Sequence, residues 1–345
     1  MLRPITIAGG GLAGLTLGIG LRQKGITVTV LEAGRYPRHR VCGEFISGRG
    51  QDVLARLGLR EAFLQAGAIP ARTAAFFLGQ AGSPVRPLPR PALSLSRLTM
   101  DALLARLFRE AGGELREDER WHEGDAAEGI VRANGRRLGP AGNGWHWFGL
   151  KVHARNVMLC ADLEMHGARQ GYVGISRLHG GEVNVCGLFR RPARRHEASV
   201  PWRELIQGQP GTPLRQRMAG AEVNESSFCA VAGLSLRPQR ADAENECVIG
   251  DALTMIPPVT GNGMSMAIEA AEIAIRPLAA YSGGEITWTQ AKRAIARGCD
   301  SAFAQRLTWA QWLHWMMFTP VLRAGLGRLA LNSDWLWRTM FGRTR

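Results

Sequence analysis

Apolar residues change their spacing several times along this chain, and each change marks an element. Residues 5–8 form a short apolar run. A glycine turn follows, then an apolar helix pattern, then Thr27-Val-Thr-Val-Leu31 ending on the acid Glu32. That order predicts strand, turn, helix and strand. Val53, Leu54, Leu57, Ala62 and Phe63 recur at helical spacing over 51–66. Residues 69–95 read as strand, with Ala74-Ala-Phe-Phe-Leu78 and a proline-rich run from Pro84 to Pro91 that predicts a loop or sheet edge. A helix over 102–111 is ended by Gly112-Gly113, and Glu114 can start a strand. Residues 121–144 are glycine-rich and short-stranded.

From 145 to 191 the period becomes that of a sheet. Residues 147–153, 171–176 and 182–189 alternate, and Gly180-Gly181 is a hairpin signal. Helical segments follow at 201–219, then strands near 228–236. Cys247-Val-Ile reads as a buried strand, followed by Gly250-Asp251, a glycine loop and a helix over 265–274. Near the C-terminus, Trp309, Trp312, Trp315 and Met316 fall within a helical arc of about 120°. Trp335, Trp337 and Phe341 follow, interleaved with Arg323, Arg328, Arg338, Arg343 and Arg345.

Two of these stretches carry chemistry. In the first, Gly9 permits the tight turn, Gly11 lets backbone approach a pyrophosphate, and Gly14 lets helix lie against strand. Free amides at the helix start suit phosphates. Glu32, 18 residues past Gly14, can accept ribose hydroxyls. This is a dinucleotide site, open at this point between FAD and a nicotinamide cofactor. In the second, Asp251 ends a strand, and the helix start at 261–264 offers positive potential to an anion.

Composition narrows the picture. The chain has 345 residues, 46% hydrophobic and 21% charged, which is ample for a large core. The formal charge is +14, nearly all of it arginine, because Lys24, Lys151 and Lys292 are the only lysines. No zinc-finger spacing, RNA-binding motif or dense basic tract accompanies that charge, so no nucleic-acid partner is expected. Six scattered cysteines without a CxxC pair read as reduced thiols and give no metal site. The apolar N-terminus contains the phosphate-binding glycines, so it is not a cleavable signal. No apolar run reaches the length of a membrane span. The expected location is cytoplasmic, with possible peripheral contact at the inner face of the membrane through residues 308–345.

With both stretches on the page, the chain resembles the FAD-dependent oxidoreductases that include aromatic hydroxylases, geranylgeranyl reductases and flavin halogenases. The resemblance covers roughly 1–275, in family order. Pro37-Arg38-His-Arg40-Val-Cys42-Gly43-Glu44 looks most like the geranylgeranyl reductase branch. The implied fold is α/β (α+β compound): a Rossmann-like FAD-binding domain with an inserted β-sheet substrate domain and a helical C-terminus. The corresponding divisions are 1–68, 94–144 and 228–275 for FAD, 69–93 and 145–227 for substrate, and 276–345 for the Trp/Arg-rich segment. The resemblance implies non-covalent FAD held by Gly9, Gly11, Leu12, Ala13, Gly14, Glu32, Ala33, Arg40, Cys42, Gly43, Arg97, Gly250, Asp251, Pro258, Gly261, Gly263 and Met264. It allows NADPH or another electron donor.

Some positions depart from the family pattern. Ala133-Asn134-Gly135-Arg136 has Asn where many relatives have Asp, and Thr254 replaces a common His. Trp145-His-Trp147 resembles the halogenase Trp-x-Trp, but Gly149-Leu150 stands where Ile-Pro is expected, which sets halogenase aside.

The second sheet is expected to roof the flavin ring over a lipophilic substrate, with His153, Tyr172 and Asn184 as candidate polar groups. Cys42 and Glu44 are the candidate catalytic residues. The leading expectation is an FAD enzyme acting on a lipophilic small molecule in the manner of geranylgeranyl reductases. The alternatives are a monooxygenase hydroxylating an aromatic or polyketide-like substrate, and a membrane-associated flavin electron-relay protein.

Overall fold

The computed structural model describes every residue except 123–126, 137–143, 169, 194–199, 238, 242–245, 320–330 and 345. Arg323, Arg328 and Arg345 therefore lie outside the described residues.

The chain opens with strand β1 (Ile5–Ala8), helix α1 (Leu12–Arg22) and β2 (Val28–Glu32). Then come β3 (Phe45–Ile46), α2 (Arg49–Arg56), α3 (Arg60–Gln65), β4 (Ile69–Leu78), β5 (Ala81–Gly82) and β6 (Arg86–Ser94). Helix α4 (Arg97–Glu110) leads to β7 (Glu114–Glu117) and β8 (Ile130–Arg132). The sheet-rich middle holds β9 (Trp145–Arg155), β10 (Leu163–Ala168), β11 (Gly171–Arg177) and β12 (Val183–Pro192). After α5 (Trp202–Gln207), α6 (Pro213–Met218), β13 (Glu222–Ala232) and β14 (Cys247–Val248) come helices α7 (Gly263–Ser282), α8 (Trp288–Phe318) and α9 (Asp334–Thr344).

Two sheets result. The first has five strands in the order β14-β8-β1-β2-β7, and all its pairings are parallel. Its central strands, β1 and β2, are short and mostly apolar because helices cover them, whereas the edge strand β7 is Glu-Leu-Arg-Glu. Leu15, Leu17 and Leu21 of α1 and Ala270, Ala271 and Ala274 of α7 share one core with Ile5, Ile7, Val28 and Val30. The second sheet runs β13-β9-β12-β11-β10-β4-β6-β3. One face packs Val152, Val173, Val185 and Phe189 onto Ile206, Leu214 and Met218 of α5 and α6. Its other face turns toward the first sheet's C-terminal edge.

Several boundaries differ from the sequence reading. The helical pattern over 51–66 is two helices, because Gly58 sits at φ +71° between them. The run from Pro84 to Pro91 enters β6, which prolines can do because only Phe45 and Ile46 pair along its outer side, at Ser94 and Leu93. Residues 228–232, grouped with the cofactor domain from sequence, belong to β13 and pair with β9. The division at 275/276 falls inside α7, which continues through Pro277 to Ser282. Helix α8 then buries Ile295, Cys299 and Phe303 in the cofactor-side core rather than standing apart.

Candidate functional site

The site begins where β1 ends. Gly9 adopts φ +114°, and a Cβ there would stand 2.5 Å from the Ala133 carbonyl oxygen. A Cβ on Gly14 would meet the Gly9 oxygen at 1.9 Å, so helix and turn touch only because both are glycine. A Cβ on Gly11 would meet nothing within 4 Å, so that face of the turn is open. Hydrogen bonding in α1 starts with Leu15 N–H to Gly11 O at 3.0 Å. The amides of Leu12, Ala13 and Gly14 thus have no partner inside the helix, and no side chain caps them. Glu32, buried at the end of β2, accepts from the amides of Gly10 at 2.9 Å and Gly34 at 3.2 Å. It also pairs with Arg38, and with Arg40 at 3.4 Å.

A second helix start faces the same space. Gly250 (φ +65°) turns the chain after β14, and Asp251 pairs with Arg136 at 3.5 Å. Gly261 is left-handed at φ +64°, with the Phe45 ring where a side chain would go. Intrahelical bonding in α7 starts with Met266 N–H to Asn262 O at 3.0 Å. The buried Asn262 amide nitrogen has no hydrogen-bond partner.

Both helix starts line one cavity of about 750 Å³. Gly9, Gly11, Leu12, Ala13, Glu32, Ala33, Arg40, Cys42, Gly43, Arg97, Asp251, Pro258, Gly261, Gly263 and Met264 border it. Gly14 and Gly250 do not; they are contacts of helix on turn and turn on helix. Arg97 starts α4 and forms a bidentate pair with buried Asp101 at 2.9 and 2.8 Å, while Arg40 reaches the same carboxylate at 3.1 Å. The Cys42 thiol lies beside the Arg97 guanidinium.

The cavity's far wall is the second sheet, and strand register explains its chemistry. Phe76, Met165, Gly174, Cys186, Lys151 and Cys229 form one row across six strands. Ala74, Leu163, Ser176, Asn184 and His153 form the next. Registered partners share a face. The loop at 39–44 lies over the polar end of these rows. Ser176 donates to the Gly43 carbonyl and Asn184 to the Cys42 carbonyl, both at 2.9 Å.

Beneath that loop is a buried charge cluster. Lys151 and Glu44 are both 0% exposed, with Nζ 3.2 Å from Oε1. His153 Nε2 stands 2.7 Å from Glu44 Oε2, and its Nδ1 is 3.2 Å from Glu182. The Arg97 amide donates to Glu44 at 2.9 Å. Burial alone would raise the Glu44 carboxyl; the His153 hydrogen bond, Lys151 and the Arg97 amide together hold it below the usual carboxylate value. Lys151 also reaches His39 Nδ1 at 2.9 Å. Burial and the lysine charge lower the His39 pKa to about 4, so its ring is neutral where it borders the cavity. Glu44 has left-handed backbone (φ 60°) and does not itself border the cavity.

Residues 3–139 match the FAD binding domain family. The match spans the cofactor cradle and about two-fifths of the chain. The chain's fold is shared by the flavin-dependent brominase Bmp2 (TM-score 0.76, 18% identity, 97% of this chain and 92% of that one). The myxobacterial chondrochloren halogenase CndH is similar to the same degree (TM-score 0.76, 18% identity, 99% and 90%). PqsL, a probable FAD-dependent monooxygenase from Pseudomonas aeruginosa, also shares it (TM-score 0.69, 17% identity, 94% and 99%). No curated protein matches the sequence.

The cavity fits FAD. The open Gly11 face and unpartnered amides of α1 would hold the diphosphate, and Glu32 the ribose. Asp251 would hold the ribityl chain, with the Gly261–Met264 backbone at the flavin ring. The fold brings nearly all sequence-predicted cofactor residues to one space, which Tyr172 also borders, whereas His153 and Asn184 are buried in the sheet away from it. His153 is committed to Glu44 and Glu182, and Asn184 to the loop. Tyr172 sits among Leu188, Leu234, Val259 and Leu313. Sequence reasoning missed Lys151 and His39. A lysine in an apolar alternating strand, in a chain with three lysines, was the available signal. Trp145 and Trp147 are held by Arg190, whose guanidinium lies 4.1 and 5.8 Å from their rings.

Helices α8 and α9 complete the cavity. Leu313 borders it from α8, and Met340 and Phe341 from α9. Trp337 and Phe341 pack on Ala71, Ala74, Leu88 and Leu163. Buried Arg86 anchors this end, donating to Asp334 and to the Leu331 carbonyl, each at 2.7 Å.

Proposed function

We propose that this chain is an FAD-dependent oxidoreductase, a monooxygenase acting on a lipophilic small molecule. The observation that carries the substrate class is the wall opposite the cofactor cradle. Phe76, Leu163, Met165, Leu188, Leu313 and Phe341 line it, an apolar face on the same cavity as the cradle. FAD, when bound, supplies the redox chemistry. The chain's own residues orient it, exclude water with α8 and α9, and hold the 39–44 loop between cofactor cradle and sheet. The neighbouring monooxygenase and halogenase folds support oxygen chemistry over simple reduction. NADPH is the proposed first electron donor.

A second reading is reduction of a lipophilic substrate in the manner of geranylgeranyl reductases, which the 37–44 loop supports. One experiment separates them. The purified FAD protein is bleached anaerobically with NADPH or dithionite, then mixed with a panel of aromatic and polyprenyl compounds with and without ¹⁸O₂. Label in a product, and none without oxygen, is expected. An anaerobic product of two added hydrogens overturns the monooxygenase reading in favour of the reductase. Failure to bind FAD overturns both.

A further inference from the structure

The two helices that wall the cavity carry tryptophans on their outer sides. Among the described residues, Trp312 of α8 is 44% exposed, Trp315 is 57% exposed, and Trp335 of α9 is 71% exposed. Trp309 is half-buried and meets Trp312 edge-on, with centroids 5.8 Å apart. At 100° per residue, Trp309, Trp312 and Trp315 make one ridge on α8. Leu313, next to Trp312 in sequence, is buried at the cavity. One helix therefore presents leucine inward and tryptophan outward. Solvent-exposed large aromatics clustered on adjoining helices mark an interaction surface.

Charge selects the partner. Residues 301–345 contain six arginines, no lysine and a single acid, Asp334. That acid is engaged by Arg86, and buried Arg306 by Glu269 at 2.7 and 2.8 Å. Arg338 and Arg343 of α9 are exposed. Among the described residues no helix is long and apolar enough to cross a membrane, so burial could reach only the interface. Tryptophan belongs at that depth, and arginine beside it attracts anionic headgroups.

We infer that the outer faces of α8 and α9 dock on an anionic lipid surface, with the Trp312–Trp315 ridge entering the headgroup layer. This does not rest on the proposed reaction.

The test uses full-length protein with FAD bound. Co-sedimentation is measured with vesicles of phosphatidylglycerol and phosphatidylcholine (1:3) and of pure phosphatidylcholine, at 0.1 and 1 M salt. Binding to the anionic vesicles, at least tenfold weaker on pure phosphatidylcholine and in high salt, is expected. Quenching of tryptophan fluorescence by brominated acyl chains should fall sharply in Trp312→Ser/Trp315→Ser. Arg338→Gln/Arg343→Gln should weaken binding about twenty-fivefold, at roughly fivefold per arginine. Each variant's FAD spectrum and melting temperature report folding. No vesicle binding, or equal binding to neutral vesicles, overturns the inference. So does a dimer that the tryptophan variant dissociates, because the ridge would then be a self-interface.

Discussion

Lys151 and Glu44 lie 107 residues apart in sequence and 3.2 Å apart in space, with no exposed surface on either. Their surroundings are unequal. Glu44 also has His153 and the Arg97 amide, whereas the charge of Lys151 is answered by Glu44 alone. Removing one partner of a buried pair strands the other charge. Glu44→Gln should therefore cost about 3–5 kcal/mol, and Lys151→Met clearly less, about 1–3 kcal/mol. Guanidinium denaturation of both variants decides it; equal losses would show that the asymmetry is not real.

Two glycines of one turn should behave differently. Gly14→Ala drives a methyl into the Gly9 carbonyl, so the melting temperature should drop, by about 1–3 kcal/mol of stability. Gly11→Ala meets no protein atom and should leave stability within about 0.5 kcal/mol. Its methyl would occupy the phosphate approach, and FAD affinity should fall at least tenfold. Retained FAD affinity in Gly11→Ala would count against this cradle as the diphosphate site.

Stability should decline on acidification in two windows. His314, buried against Trp147 and Phe318 near Arg190, has its pKa lowered to about 4, first by burial and then by that arginine. The unfolded chain, at about 6.5, binds the proton more readily, so stability falls as pH drops from about 6.5 to 4. Glu164 is the opposite type. Burial opposes ionisation, but His166, Cys160 and Arg217 hold its pKa at about 2, so its stabilisation is lost between about 4.5 and 2. Thermal melts against pH should show both windows; His39 shares the first, so His314→Gln should shrink that one without abolishing it and leave the second unchanged.

Deleting 334–345 should leave FAD bound and open the chamber. The deletion removes Trp337, Met340 and Phe341 from the substrate side, yet touches none of the two helix starts at the cradle. Flavin absorbance should persist after gel filtration while a fluorescent fatty-acid probe binds more weakly. Loss of flavin on deletion would make α9 part of the cofactor core.

Local signals were legible in sequence, and long-range ones were not. Gly9–Gly14 and Gly250–Met264 each specify a turn whose geometry depends only on nearby backbone, so they pointed to the right elements. Strand β10 was not singled out because Leu163-Glu-Met-His alternates for only four residues before Gly167, too short a run to stand out. Its Glu164 and His166 are buried together, 2.9 Å apart, where an isolated charge would be excluded. The helix read over 265–274 runs on through Pro277 to Ser282. The row from Phe76 to Cys229 could not be seen, because it depends on the register of six strands far apart in sequence. The role of Glu44 depends on the same register, since its lysine and histidine partners both come from β9.

Helix α8 has 31 residues, which is about 46 Å of continuous rise. Its first half is locked in the cofactor core by Ile295, Phe303 and the Arg306–Glu269 pair, and its last turns meet substrate space at Leu313. The two tasks sit on one rod but share no residue. Among the described residues, positions beyond 310 therefore lie outside the cofactor-side core, and Leu313 alone of the buried ones reaches the cofactor loop, at Val259. For an engineer, the same division marks the stretch to randomise first.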